Sequence, residues 1–191
     1  TGSITSFNMS GNILVHLEPA KHIPVFCLFT VYEDDCGIDK NGQYIINLSE
    51  EKKETIKKHF PKANSVAIIT EPYKFLDDVS ESIGCEIKHG EVHYFHIDEG
   101  LEIEGSNQRA IDMEYMKYLM QDVPPVIKDG KTTYSFQADY VFRALFCKDV
   151  FFSDEQEYRI VLPHEKVSKG TSYPVKLSES IKILSLSEFF K

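Results

Sequence analysis

Glu155, Glu157 and Arg159 lie two residues apart in the run FCKDVFFSDEQEYRIVLP (Phe146–Pro163). On a β-strand, residues two apart share a face, so this spacing predicts three charges along one side of a strand spanning Glu155–Leu162. Tyr158, Ile160 and Leu162 then line the opposite side as a core face. Two neighbouring carboxylates push one pKa up, which suits acid–base chemistry, and the same pair can hold a ribose or a cation. Arg159 opposes that shift by stabilising both anions. The competing reading is structural: a solvent-facing or edge strand whose charges deter pairing with another edge.

Other residue sets carry less. His89, His93 and His96 include an H-x-x-H spacing, but the flanking VHYFHI is strand-like. His93 and His96 then point to opposite faces and cannot serve one metal from one strand. The four cysteines, Cys27, Cys36, Cys85 and Cys147, form no C-x-x-C pair, so neither a zinc knuckle nor a thioredoxin-like motif is expected. Cys27 and Cys147 sit in apolar runs, read as small core residues, and apolar neighbours raise a thiol pKa rather than lower it. No glycine-rich phosphate cradle and no G-x-S-x-G occur. Tyr115 and Tyr118, beside Lys117, could stack on a base. Their helical spacing with Met113, Met116 and Met120 favours packing against a neighbouring element.

The elements that position these residues follow from periodicity and punctuation. Ile13–Leu17 and Pro24–Tyr32 read as strands, the second apolar on both faces and therefore central. Glu33–Gly42 is an acidic, turn-rich loop, and Gln43–Leu48 a third strand. Ser49 caps a surface helix over Glu50–Phe60, supported by a Glu54–Lys58 pair and ended by Pro61. Ser65–Thr70 reads as a buried strand. Thr70 caps a helix with Pro72 in its first turn, a buried stripe of Phe75, Leu76, Val79 and Ile83, and Gly84 as its stop. Cys85–Ile97 reads as a hairpin or bulged strand broken at His89-Gly90. An acidic loop, Asp98–Gly105, precedes a helix over Ser106–Gln121. Lys128–Lys131 is a turn and Gln137–Phe146 a short helix. Strands over Glu155–Leu162, Tyr173–Leu177 and Ile181–Leu186 finish the chain. Strands and helices without a strict β-α-β-α rhythm indicate an α+β single domain, with a mixed, mostly antiparallel sheet and about four helices.

Composition bounds the function. The chain has 191 residues, which suits one domain, and 42% hydrophobic with 27% charged residues is ordinary for a globular fold. The net charge of −9, with Arg109, Arg143 and Arg159 the only arginines, argues against broad phosphate-backbone binding, so no nucleic-acid partner is expected. No apolar run approaches a membrane span, and nothing resembles a signal peptide; no membrane association and a cytoplasmic location are expected. The chain opens Thr1-Gly2-Ser3 without a methionine, which reads as a tag remnant or an internal fragment.

Four patches together resemble a family of uncharacterised bacterial and prophage-borne proteins: PVFCLF (Pro24–Phe29), SVAIITEPYKFLDDV (Ser65–Val79), HGEVHYFHID (His89–Asp98) and FCKDVFFSDEQEYRIVLP (Phe146–Pro163). The last carries the family's C-terminal pattern through Lys148, Phe152, Glu155, Glu157, Tyr158 and Arg159. The resemblance implies an additional N-terminal segment that this chain lacks, and it implies no particular chemistry. A second similarity is to ADP-ribosyltransferases, which place a catalytic Glu in an E-x-E or Q-x-E pair leading into a hydrophobic strand. Glu155-Gln156-Glu157 running to Val161-Leu162-Pro163 looks like that element. The Arg-Ser-Glu version of that fold needs an early Arg, and none precedes Arg109. The His-Tyr-Glu version would use His16 on the first strand.

Two functions are therefore expected in competition. One is a non-enzymatic binding or regulatory module in a prophage or host–phage setting. It would need no cofactor or metal and would turn an acidic surface (Glu33–Asp35, Glu99–Glu104) to a basic protein partner. The alternative is an NAD-dependent ADP-ribosyltransferase-like enzyme. Glu157 would stabilise the oxocarbenium-like transition state and Glu155 would orient the acceptor. Lys148, Arg159 and His16 would hold the cofactor.

Overall fold

The computed structural model describes residues 22–98, 100–107, 109–120, 126–133, 139–168 and 172–191. In chain order, β1 is Val25–Phe29, followed by a 3-10 turn over Glu33–Asp35, β2 Cys36–Ile38, β3 Tyr44–Ile46, α1 Glu50–His59, β4 Ser65–Ile68, α2 Pro72–Ile83 and β5 Lys88–Glu91. Then come β6 His93–Phe95, β7 Leu101–Glu102, β8 Arg109–Ala110, α3 Met113–Met120, β9 Val126–Lys128, β10 Lys131–Thr133, α4 Asp139–Ala144 and β11 Cys147–Asp149. A 3-10 turn over Val150–Glu155 leads to β12 Glu157–Val161, and β13 Lys182–Ser185 and α5 Leu186–Phe189 close the chain. This is the α+β class, and among the described strands every pair is antiparallel except β6 with β11. The strands form several small sheets. No helix among the described residues is long and apolar enough to cross a membrane.

The described residues group into two compact units, one holding Pro24–Glu91 and Asp154–Lys191, the other Val92–Ser153. The first is built on the sheet β1-β12-β5, with β12 in the middle. Its register sets Cys27 opposite Arg159 and Phe29 opposite Glu157 on β1, and Gly90 opposite Arg159 on β5. Ile160 and Leu162 pack with Leu76 and Val79 of α2, flanked by Leu28, Phe75, Ile83 and Tyr158. The 3.6-residue stripe of α2 thus meets the period-two stripe of β12. Each fully buried aliphatic side chain contributes about 1.5–3 kcal/mol. Pro72 opens α2, and Gly84, at φ 73°, ends it in the left-handed conformation a glycine adopts without strain. In α1, Ser49 accepts a hydrogen bond from the Lys52 amide at 3.2 Å. Only Ile56 of α1 is buried, as a surface helix requires. Its side-chain ion pairs run Glu50–Lys53 and Glu54–Lys57, three residues apart rather than four.

The second unit pairs β6 with β11 in parallel and β7 with β8. Its β9–β10 hairpin turns at Asp129-Gly130, both at positive φ (52° and 72°), the signature of a two-residue hairpin. Arg143 ties α4 to α3 by donating to the Leu119 carbonyl at 2.9 Å.

Several expectations are corrected. Pro24–Tyr32 is not a central strand among the described residues: β1 pairs only with β12, and Val25 and Phe26 are exposed. Ser65–Thr70 is not buried throughout, because β4 alternates exposed and half-buried positions. The cap of α2 is Glu71, not Thr70, and it makes no side-chain capping bond. Cys85–Ile97 is not a hairpin: β5 and β6 belong to different sheets, separated at Val92 rather than at His89-Gly90. Residues 173–177 form no strand, and α5, with a capping box between Ser185 and Glu188, follows β13 directly. The expected strand Ile13–Leu17, with His16, lies outside the described residues.

Candidate functional site

Glu157 and Arg159 do share one face of β12, as their spacing requires. The Nε and Nη2 groups of Arg159 donate to Glu157 Oε2 at 2.9 and 2.6 Å. Their side chains are 14% and 15% exposed, so the pair is well shielded from water. Charge-assisted contacts of this length are about twice as strong as neutral ones. Across the sheet, Gly90 presents no side chain opposite Arg159. Cys27 lies on the other flank, and partial burial followed by the charge of Glu157 pushes its thiol pKa up, with Arg159 opposing. That agrees with a thiol not activated as a nucleophile. Cys27 is nonetheless exposed rather than a core residue, whereas Cys147 is buried as expected.

The structure corrects two points about this segment. First, β12 is paired on both sides, so it is not an edge strand, and its charges do not serve to deter edge pairing. Second, Glu155 is not on the strand. It ends the preceding 3-10 turn, and Gln156, at φ 43°, interrupts the period-two alternation. The Glu155 carboxylate lies 3.5 Å from His59 Nδ1, while Asp154 lies 3.3 Å from His59 Nε2. Lys148 sits on β11 in the other unit, with its ammonium 4.6 Å from the centre of the Phe152 ring. The structure therefore joins Glu157 to Arg159 and turns Glu155 to His59.

Gln156 anchors a polar knot that sequence reasoning missed. Its Nε2 donates to the Thr30 carbonyl at 3.0 Å and to Asp35 Oδ2 at 3.2 Å, and its own carbonyl accepts from the Thr30 amide at 2.8 Å. Asp35 is 2% exposed. It also accepts from the Tyr32 amide at 3.1 Å and pairs with Lys52 at 2.5 Å. Burial alone would raise the Asp35 pKa, but Lys52, the Tyr32 amide and Gln156 outweigh it and hold the carboxyl below its usual range. Asp35 is thus withdrawn from the expected acidic surface, where Glu33 and Asp34 remain exposed. No local signal marks this: Asp35 and Gln156 are 121 residues apart.

In the other unit, two aspartates fix the chain after β6. Asp149 Oδ2 accepts from the Ile97 and Asp98 amides at 2.9 and 3.0 Å, and Oδ1 accepts from the Phe151 amide at 2.9 Å. Asp112 accepts from the His96 amide at 3.1 Å and from the Glu114 and Tyr115 amides that open α3. The Asp98, Phe151 and Ile97 amides hold the Asp149 carboxyl below its usual range. For Asp112, burial pulls the other way but its three amide donors prevail.

His93 and His89 are used for packing and hydrogen bonding. The His93 ring lies 4.4 Å from that of Tyr118, and His89 Nδ1 lies 2.6 Å from the Tyr158 hydroxyl. Tyr115 and Tyr118 pack on Phe95, as the helical spacing favoured. Among the described residues no cluster of three His, Cys, Asp or Glu side chains is placed to hold a metal ion. Glu102 and Glu104 are exposed, Glu102 meeting Arg109 at 3.3 Å, and Glu99 lies outside the described residues. Comparison of the chain with protein-family models, with curated proteins and with solved structures finds no match.

Proposed function

We propose that this chain is a non-enzymatic binding module whose exposed acidic residues meet a basic protein partner. The observation that carries the reading is the Glu157–Arg159 pair. The carboxylate suggested for catalysis is held by two donors from its own strand, at the centre of a sheet, in the manner of a structural ion pair. Glu33 and Asp34 sit on the surface of the same unit, and the chain's net charge of −9 reinforces attraction of a cationic partner. The sequence resemblance to bacterial and prophage-borne proteins supports a prophage or host–phage setting for such a module.

The test is fluorescence anisotropy with a labelled lysine-rich peptide, at low salt and at about 0.2 M salt. The wild type binds at low salt and weakens at the higher concentration, and Glu33→Gln/Asp34→Asn binds less at low salt. Wild-type binding that ignores both salt and the double substitution contradicts the reading. The NAD-using alternative has its own test. NAD at about 1 mM stabilises a protein that binds it by an amount that grows with the logarithm of the ratio of its concentration to Kd. A melting-temperature rise in the wild type that Glu157→Ala abolishes would replace the module by a transferase.

A further inference from the structure

The hairpin formed by β2 and β3 is presented to solvent in a way its sequence does not explain. Its register places Ile38 directly opposite Tyr44, and the two side chains are 66% and 82% exposed. Ile45, on the other face, is 47% exposed. Single exposed apolar residues are ordinary, but a cross-strand isoleucine–tyrosine pair is the kind of contact that stabilises a sheet by being covered. Here the pair lies on a two-stranded ribbon that, among the described residues, has no third strand. Such a ribbon is marginal by itself and carries outward-facing backbone groups that template strand addition.

The hairpin is nevertheless held in shape. At its tip, Asp39 Oδ1 accepts from the Asn41 and Gln43 amides at 2.8 and 2.9 Å, and the Asp39 amide donates to the Gln43 carbonyl at 2.8 Å. At its base, the Asn47 amide donates to the carbonyl of Asp35 at 2.7 Å, and the Asp35 side chain is locked by Lys52 and Gln156. A pre-organised edge loses little entropy when it binds.

Charge selects the occupant. Glu33 and Asp34 are exposed immediately before β2, and the chain's net charge of −9 makes a second copy a poor partner. We infer that the β2–β3 hairpin is a strand-addition site for an extended segment of a partner protein with alternating apolar and basic side chains. The apolar side chains cover Ile38 and Tyr44, the basic ones meet Glu33 and Asp34, and the backbone extends the ribbon. This rests on the binding-module reading and names the surface and the class of partner.

The probe is a fluorescein-labelled peptide of alternating lysine and valine, with an alternating lysine–glycine peptide of equal charge as control. Anisotropy gives affinity, and amide hydrogen exchange gives the place. The lysine–valine peptide binds more tightly than the control and slows exchange across β2 and β3. Tyr44→Ser and Ile38→Ser each weaken it by about tenfold or more, as for a buried interface anchor, and this loss persists at higher salt. Glu33→Gln/Asp34→Asn weakens it only at low salt. Both apolar variants lower the melting temperature by no more than about 4 °C, the loss of one cross-strand contact between largely exposed side chains. Equal affinity for the two peptides, or unchanged binding by Tyr44→Ser and Ile38→Ser, overturns the hairpin site while leaving an acidic binding module intact. Failure of the wild type to bind either peptide overturns both readings. Self-association of the wild type that Tyr44→Ser abolishes assigns the face to a second copy and overturns the peptide partner.

Discussion

Replacing Lys52 by methionine keeps most of the side-chain volume and removes the cation that meets Asp35 at 2.5 Å. Asp35 is 2% exposed and Lys52 33%, so the carboxylate stays in a poorly solvated site while the charge opposing it disappears. Removing one partner of a buried pair costs about 3–5 kcal/mol; the partial exposure of Lys52 and the remaining Tyr32 and Gln156 donors reduce that to about 2–4 kcal/mol. For a chain of this length each kcal/mol moves the melting temperature by about 2–4 °C, so a drop of roughly 4–16 °C is expected near neutral pH. The pH dependence gives a sharper check. The folded Asp35 pKa lies below its unfolded value, so the unfolded chain takes up the proton first. The stabilisation is therefore complete above about pH 4 and is lost as pH falls through the lower, folded value. Lys52→Met removes the chief group that lowers that pKa, so the stability gap between variant and wild type should narrow as pH falls below about 4. Calorimetry across pH 2–7, with Asp35→Asn and the double variant completing a cycle, measures both quantities. A neutral-pH loss under about 0.5 kcal/mol, typical of an exposed pair, or a gap that does not change with pH would refute the buried-pair account.

Arg159→Met removes the two hydrogen bonds that Arg159 donates to the shielded Glu157 and should cost about 2–3 kcal/mol in urea unfolding, whereas Glu157→Leu/Arg159→Met should recover much of that loss. Among the described residues the buried Thr30 Oγ1 has no hydrogen-bond partner, so Thr30→Val should be neutral or stabilising by up to about 1 kcal/mol, read as an unchanged or raised melting temperature. Leu76→Ala opens a cavity against Ile160 and Leu162 and should destabilise by about 2–4 kcal/mol, read as a lower urea midpoint at unchanged slope.

The sequence by itself determined the elements whose signals are local. Ser49 and Pro61 bracket α1, the spacing of Phe75, Leu76, Val79 and Ile83 with Gly84 defines α2, and Asp129-Gly130 marks the β9–β10 turn. It also determined that Tyr158, Ile160 and Leu162 face the core and that Glu157 and Arg159 share the other side, because strand alternation depends only on neighbouring residues. What β12 pairs with was decided by tertiary structure. Its neighbours are drawn from residues 25–29 and 88–91, and charges that suggested an edge strand prove compatible with a central one once Arg159 neutralises Glu157. The left-handed turn at Gln156, which removes Glu155 from the strand, is held by Thr30 and Asp35, more than a hundred residues earlier. Burial of Asp35 follows from the same contacts. Periodicity reports which side of an element is apolar; it carries no information about which distant donors will meet a given carboxylate, and that determines whether an acidic residue is a surface charge, a structural tie or a reactive group.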